Sequence, residues 1–335
     1  MIPAFLGLSG PVLTPDERTF FAKADPAGFI LFARNCADRG QLRGLTDSLR
    51  EVSGRADVPI LIDQEGGRVA RMKPPEWPAF PPGAQFDALY EIAPMTAIEA
   101  ARANAAAIAA LLVEVGINVD CLPLLDVRQP GAHDIIGDRA FGSEPLRVAA
   151  LGRATIEGLR AGGVVGVVKH MPGHGRALAD SHQELPVVDA DAGALETDLR
   201  PFMSLKTAPM AMTAHVVYRA WDPDRCASLS PIVIGEVIRD RIGFDGLLMS
   251  DDLGMHALTG GFDARAAGVV AAGCDIALHC SGDMAEMRAV ASGLGEITAQ
   301  ARDRLDRAMA TISGGEPRLA YAAAAATRDG LLACG

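Results

Sequence analysis

The residues able to do chemistry are concentrated between Val164 and Pro186, which reads VVGVVKHMPGHGRALADSHQELP. The fourteen residues from Lys169 to His182 hold three of the seven histidines (His170, His174 and His182), a lysine, and Asp180. The stretch starts as a β-branched apolar run, Val164, Val165, Val167 and Val168, and turns polar abruptly at Lys169. A loop that leaves a buried strand in this way is too polar for packing. Asp180 and His182 stand two apart, on one side of an extended loop. A carboxylate bonded to one imidazole nitrogen fixes the tautomer and makes the other nitrogen more basic, which suits proton transfer near neutral pH. A loop histidine satisfied by solvent is the plainer alternative. Lys169 and His170 follow buried valines, where an unpaired ammonium is costly. A partner is therefore required, and Asp63, Asp126 and Asp251 are the candidates.

A second polar group, Ser250-Asp251-Asp252-Leu253-Gly254-Met255, follows the apolar run Gly246-Leu247-Leu248-Met249. Successive side chains on a strand face opposite sides, so only one of the two aspartates can face a given cavity. Such a carboxylate can serve as nucleophile, base or metal ligand; helix capping by Asp252 is the plain reading. Arg71 and Arg139 can line the same cleft or form surface salt bridges. His170, His174, His182 and His215 could in principle hold a metal. However, Pro172-Gly173 prevents a helix between His170 and His174, and no HExxH or CxxC spacing is present, so no metal or other cofactor is expected.

The elements needed to position these groups are eight short apolar runs, most followed by a helical pattern: Phe5–Gly10, Gly28–Ala33, Pro59–Ile62, Ile117–Val127 (interrupted by Pro123), Val164–Val168, Met210–Ala214, Gly246–Met249 and Cys274–Leu278. Helices are expected between them, for example over Gln41–Val52, Thr96–Val115, Pro145–Ala161, Asp198–Thr207 (with Pro201 in its first turn), Pro231–Ile242 and Ala264–Ala272. Alternating helices and continuously apolar strands imply an α/β fold with a parallel sheet covered on both faces. Eight units favour a closed (β/α)8 TIM-type barrel. Asp63, Asp126, Lys169, His170, His215, Asp251, Asp252 and His279 all sit where an apolar run ends, and in a barrel those positions converge on the C-terminal face. An open doubly wound sheet would bring together only one or two of them. No composition shift marks a second domain, so residues 1–335 read as a single barrel domain with C-terminal helices, from about residue 284 to 335, packed outside it.

Apolar residues make up 49% and charged residues 22% of the 335 residues, the profile of a globular protein. The net charge of -11 leaves no basic stripe for phosphates, so neither nucleic acid nor a membrane surface is an expected partner, and no obligate protein partner is indicated. The most apolar long segment, Ile98–Val115, is interrupted by Glu99, Arg102, Asn104 and Glu114 and reads as a buried helix, not a membrane span. The N-terminus has no basic region of a signal peptide and reads as a first strand. Six scattered cysteines without a CxxC pair suit reduced core thiols in a cytoplasmic protein.

Taken together, the motifs Asp63-Gln64-Glu65-Gly66-Gly67-Arg68-Val69, Gly137-Asp138-Arg139-Ala140-Phe141-Gly142, Lys169–Gly175, Ala179–His182 and Ser250–Met255 resemble glycoside hydrolase family 3. The resemblance is to its single-domain bacterial β-N-acetylglucosaminidases of peptidoglycan recycling. Met171 stands where the family often has Phe. The resemblance implies a retaining exo-glycosidase acting on a small saccharide or muropeptide, with Asp251 as the nucleophile and His182, paired with Asp180, as the acid/base. It also implies that Asp63, Arg71, Arg139, Lys169 and His170 hold the hydroxyls of the terminal sugar. For this chemistry Asp251 must be ionised, with Lys169 and the arginines assisting, and the punctuation from Pro172 to Gly175 suggests a mobile loop. A β-glucosidase of the same family and a sugar-binding barrel without catalysis are the competing readings.

Overall fold

The computed structural model describes residues 1–179, 181, 184–312 and 320–334. Its strands, in chain order, are β1 (Ile2–Leu6), β2 (Pro26–Leu31), β3 (Ile60–Ile62), β4 (Val119–Asp120), β5 (Val165–Met171), β6 (Val187–Val188), β7 (Met210–Thr213), β8 (Val217–Tyr218), β9 (Leu247–Asp252) and β10 (Ile276–His279). Eight of them close a barrel in the order β1-β10-β9-β7-β5-β4-β3-β2, with every pair parallel. β6 and β8 form a separate two-stranded pair. The fold is the expected (β/α)8 TIM-type barrel.

The period-2 alternation of each strand separates two cores. Phe5, Leu61, Val119, Val165, Val167, Met210, Leu247, Met249, Ile276 and Leu278 meet inside the barrel. Ala4, Ile60, Ile62, Val164, Val168, Ala211, Leu248 and Ala277 join the outer core, under the helices. This phase, continued past the last apolar residue, determines which polar side chains face inward. Lys169 continues the set Val165 and Val167, Asp251 continues Leu247 and Met249, and Asp63 continues Leu61.

Several element boundaries differ from those expected. β1 begins at Ile2 and not Phe5, with Ile2 N–H bonded to Asp25 O at 2.9 Å. β4 is only two residues long, because Pro123 has no N–H to extend a ladder; Leu124 rejoins β5 through one bridge to Lys169. The helix expected from Asp198 begins at Ala192, where Asp191 caps it by accepting from Ala194 N–H, and runs to Ser204. Pro201 therefore lies inside the helix and not in its first turn. Two further helices lie between the strands, Gly83–Ile92 and Pro15–Ala24, the second opened by a Thr14/Glu17 capping box.

The helix Ala299–Ala310 crosses the N-terminal ends of the barrel strands, burying Leu305, Ala308 and Met309 against the inner core. The helix Tyr321–Leu332 packs outside against Pro94–Glu114, with Tyr321 edge-on to Phe80 and Arg328 bonded to Asn104. Pro94–Glu114 is, among the described residues, the one helix long and apolar enough to cross a membrane, and 67% of its apolar window is buried inside the protein. All six cysteines are unpaired.

Candidate active site

At the C-terminal ends of the strands the barrel opens into a cavity of about 240 Å³. Asp63, Glu65, Arg68, Arg71, Arg139, Lys169, Asp251 and Asp252 bring the charge, His170 and His174 add imidazole rings, and Phe32, Ile136 and Met255 are among its apolar walls. At one side lies a closed ion network. Lys169, only 2% exposed, places Nζ 2.9 Å from Asp63 Oδ1 and 2.7 Å from Glu65 Oε1. Arg71 Nη2 donates to Asp63 Oδ2 at 3.0 Å, and its guanidinium lies over the Phe32 ring. Arg139 grips Glu65 with two parallel bonds of 2.8 Å, from Nε and Nη2.

Of the three partners open to Lys169, the structure selects Asp63 and adds Glu65, which the sequence reading did not single out. Burial alone would raise the carboxyl pKa of Asp63, but Lys169 and Arg71 outweigh it and hold Asp63 far below the usual range. Glu65 is lowered in the same way, with Arg139 and Lys169 overcoming burial. Burial disfavours the charged Lys169 and Arg139, yet the facing carboxylates raise both above their ordinary values. The network is thus fully ionised. Three cations face two carboxylates, which leaves one net positive charge beside the cavity.

Asp126 does not pair with Lys169. It is wholly buried and accepts three bonds: from His170 Nδ1 at 2.8 Å, from His170 N–H at 3.2 Å and from His174 N–H at 2.7 Å. Burial raises its pKa, but the two histidines prevail and bring it down to about 2. An ionised carboxylate can only accept, so His170 Nδ1 carries the proton, and in the neutral ring the lone pair lies on Nε2. His174 is 3% exposed; burial, then the neighbouring His170 ring 5.6 Å away, push its pKa down to about 4, so it is neutral.

The two adjacent aspartates have separate roles. Asp251 faces the cavity, with Oδ1 accepting from Asp252 N–H at 2.8 Å. Asp252 also borders the cavity, but its Oδ1 accepts from Gly254 N–H and Cys280 N–H, each at 3.0 Å, so it ties β9 to β10 instead of capping a helix. His215 lies below this turn. Its Nε2 donates to Asp252 O at 3.0 Å, and its Nδ1 is 2.7 Å from Ser228 Oγ; burial lowers its pKa and keeps it neutral. His215, Asp126 and His279, expected at the mouth, are therefore behind its wall. His279 faces outward because Ile276 and Leu278 take the inward phase, and its Nε2 is 3.0 Å from Ser281 Oγ.

Asp63, Arg71, Arg139, Lys169, His170 and Asp251 all line the one cavity. Asp180 and His182 lie outside the described residues. The stretch Pro172–Gly175 is buried and pinned, not loose. A Cβ on Gly175 would fall 1.9 Å from Val127 O, and one on Gly173 (φ +137°) would fall 2.9 Å from Asp198 Cβ. These glycines are there for close approach. Among the described residues, no cluster of three His, Cys, Asp or Glu side chains has metal-holding geometry.

A barrel mouth lined by four cations and four carboxylates suits the hydroxyls of a sugar, and the chain is a glycoside hydrolase. It belongs to glycosyl hydrolase family 3: the model described as "Glycosyl hydrolase family 3 N terminal domain" matches residues 12–312. The chain is 39% identical over 284 residues to a beta-hexosaminidase of Alkalilimnicola ehrlichii, covering 83% of this chain and 80% of the relative. A beta-hexosaminidase of Bordetella pertussis is 36% identical over 289 residues, covering 85% and 81%. Among solved structures, NagZ from Neisseria gonorrhoeae in complex with N-trifluoroacetyl-D-glucosamine superposes with a TM-score of 0.87 at 30% identity, covering 98% of each chain. A family 3 β-N-acetylglucosaminidase from a Paenibacillus species gives 0.84 at 30% identity, covering 93% of this chain and 62% of that one.

Proposed function

We propose that this chain is a retaining exo-β-N-acetylglucosaminidase, one catalytic barrel that removes terminal N-acetylglucosamine from peptidoglycan-derived muropeptides in the cytoplasm. The observation that carries the reading is the opposition, across one cavity, of the inward-facing Asp251 to the network of Asp63, Arg71, Arg139 and Lys169, with His170 beside it. The network offers fixed donors and acceptors to sugar hydroxyls and needs no reorganisation when the sugar arrives. In the first step an Asp251 oxygen forms a bond to the anomeric carbon while the glycosidic bond breaks, and His182 gives its proton to the departing oxygen. In the second step His182 takes a proton from water, whose oxygen displaces Asp251 from the same carbon. Two inversions give net retention. Asp180 holds the imidazole and stabilises its charged form. The beta-hexosaminidase names of the relatives and the N-trifluoroacetyl-D-glucosamine complex of the Neisseria enzyme support the choice of an acetamido sugar.

The test is hydrolysis of 4-nitrophenyl N-acetyl-β-glucosaminide beside the matching β-glucoside, with the first-formed sugar anomer followed by NMR. The expected result is selective cleavage of the acetamido substrate with the β-anomer appearing first. Cleavage of the glucoside alone would move the function to a β-glucosidase, and an α-anomer first would remove the covalent step.

A further inference from the structure

The segment whose sequence contains Asp180 and His182 is moored at both ends to groups outside the sugar cavity. At its start, Arg176 Nε donates to Asp198 Oδ2 at 2.5 Å, and Arg176 Nη2 donates to Ala194 O at 2.9 Å, both acceptors on the helix Ala192–Ser204. Three residues earlier, Gly173 O accepts from the Tyr218 hydroxyl at 2.7 Å, and a Cβ on Gly173 would fall 2.9 Å from Asp198 Cβ. At its end, Val187–Val188 pairs with Val217–Tyr218, so Tyr218 belongs to both moorings. Val217 N–H bonds to Pro186 O at 2.9 Å.

Asp198 is 1% exposed, and Tyr218 is 1% exposed. Among the described residues, Asp198 Oδ1 has no hydrogen-bond partner. A buried ion pair of this kind adds little to stability, since desolvation offsets the attraction, while its directional bonds fix geometry. The cation, moreover, comes from the loop and not from the barrel scaffold. Neither Asp198 nor Tyr218 is among the described residues that line the cavity.

We propose that Asp198, Arg176 and Tyr218 are positioning residues that fix Gly173–Arg176 and Pro186–Val188, the two ends of the loop whose sequence contains His182, and so govern how its proton-transfer group meets the departing oxygen. The proposal rests on the reading of His182 as acid/base given above. It separates two kinds of damage. Losing a sugar contact slows every substrate alike, whereas a misplaced acid slows only substrates whose leaving group needs a proton.

The experiment measures kcat/KM, which reports the glycosylation step, on two substrates: N,N′-diacetylchitobiose, with a poor leaving group, and 2,4-dinitrophenyl N-acetyl-β-glucosaminide, with a good one. His182→Ala is expected to lose on the order of 100-fold more on the first than on the second. Asp198→Asn is expected to show the same skew at about tenfold, and Arg176→Lys a smaller skew than Arg176→Ala. Thermal midpoints are recorded beside each. If Asp198→Asn does not fold, Tyr218→Phe, which loses only a hydroxyl, carries the same test. An equal loss on both substrates, or none, in a series where His182→Ala is skewed, overturns the mooring proposal alone. No skew in His182→Ala itself overturns the acid/base reading, and the mooring proposal falls with it.

Discussion

The two ends of the barrel use the same side chains for opposite ends. At the mouth, Lys169, Arg71 and Arg139 face Asp63 and Glu65 beside an open cavity. At the floor, where the strands begin, Arg239 and Arg304 grip Asp275, and Arg304 and Arg307 grip Asp245. The floor carboxylates are consumed by structure: Asp275 also accepts from Leu248 N–H at 2.9 Å, locking the start of β9, while Arg304 brings in the helix Ala299–Ala310 that closes the barrel below. At the mouth the charges border an open cavity, and Asp251, outside the cation network, turns its carboxylate toward it. Charge enclosed by protein, as at Asp275 and Arg304, is architecture. Charge that faces a cavity, cations and carboxylates together, is suited to a polar ligand.

The sharpest way to break this comparison is to exchange neighbours at the mouth. Asp251→Ala is expected to lower kcat roughly 10⁴-fold or more on every β-N-acetylglucosaminide, since the proposed covalent step needs the Asp251 carboxylate. Its urea midpoint should barely move. Asp252→Ala should do the reverse, retaining turnover while losing stability, because its carboxylate satisfies Gly254 and Cys280 N–H groups. If Asp252→Ala is the inactive one, the nucleophile has been assigned to the wrong aspartate.

Next in size is Asp275→Ala at the floor. It leaves Arg239 and Arg304 without their buried partner and Leu248 N–H without an acceptor, a loss of about 4 kcal/mol by analogy with other half-broken buried pairs. Urea unfolding measures it, and kcat/KM of the folded variant should match wild type. A fall in kcat/KM with unchanged stability would mean that the two ends are not independent.

How much of this division was legible in the sequence follows from strand phase. The apolar runs revealed the barrel, and period 2 carried Asp63, Lys169 and Asp251 inward, because a strand's alternation persists for one or two residues past its apolar part. The demand of Lys169 for a carboxylate was legible, but its partners were not settled. Glu65 sits in a Gly-rich turn with no phase to read, and Arg139, which grips it, stands 74 residues away. His279 looked like a mouth residue because it ends an apolar run; the register of Ile276 and Leu278 turns it outward. Pro172–Gly175 read as slack because glycine and proline mark both hinges and tight packing, and only the neighbours, Val127 and Asp198, decide between them. The same limit hid Pro201 inside its helix, since the start is set by Asp191, whose side chain could as well have belonged to a turn.

The smallest expected effect concerns pH and sharpens the contrast further, because among the described residues no histidine joins the floor network, while His170 and His174 stand at the mouth. His174 has a folded pKa of about 4 against 6.5 in an exposed chain, chiefly through burial and then through His170. Between those values the unfolded chain binds a proton that the folded one refuses, so stability rises with pH across the window. The contribution is fully present above about pH 6.5 and is lost as the pH falls toward 4, by roughly 3 kcal/mol for the single group. His215 and His279, also lowered by burial, slope the same way, so the quantity to measure is a difference. Urea midpoints of wild type and His174→Gln, taken from pH 4 to 7, should converge as the pH falls or cross, with the glutamine variant the flatter of the two. Parallel curves would mean that His174 keeps its ordinary affinity for a proton in the folded state. A positive charge would then be added at the mouth as the pH falls through 6.5, and the contrast with the floor would include a titrating group.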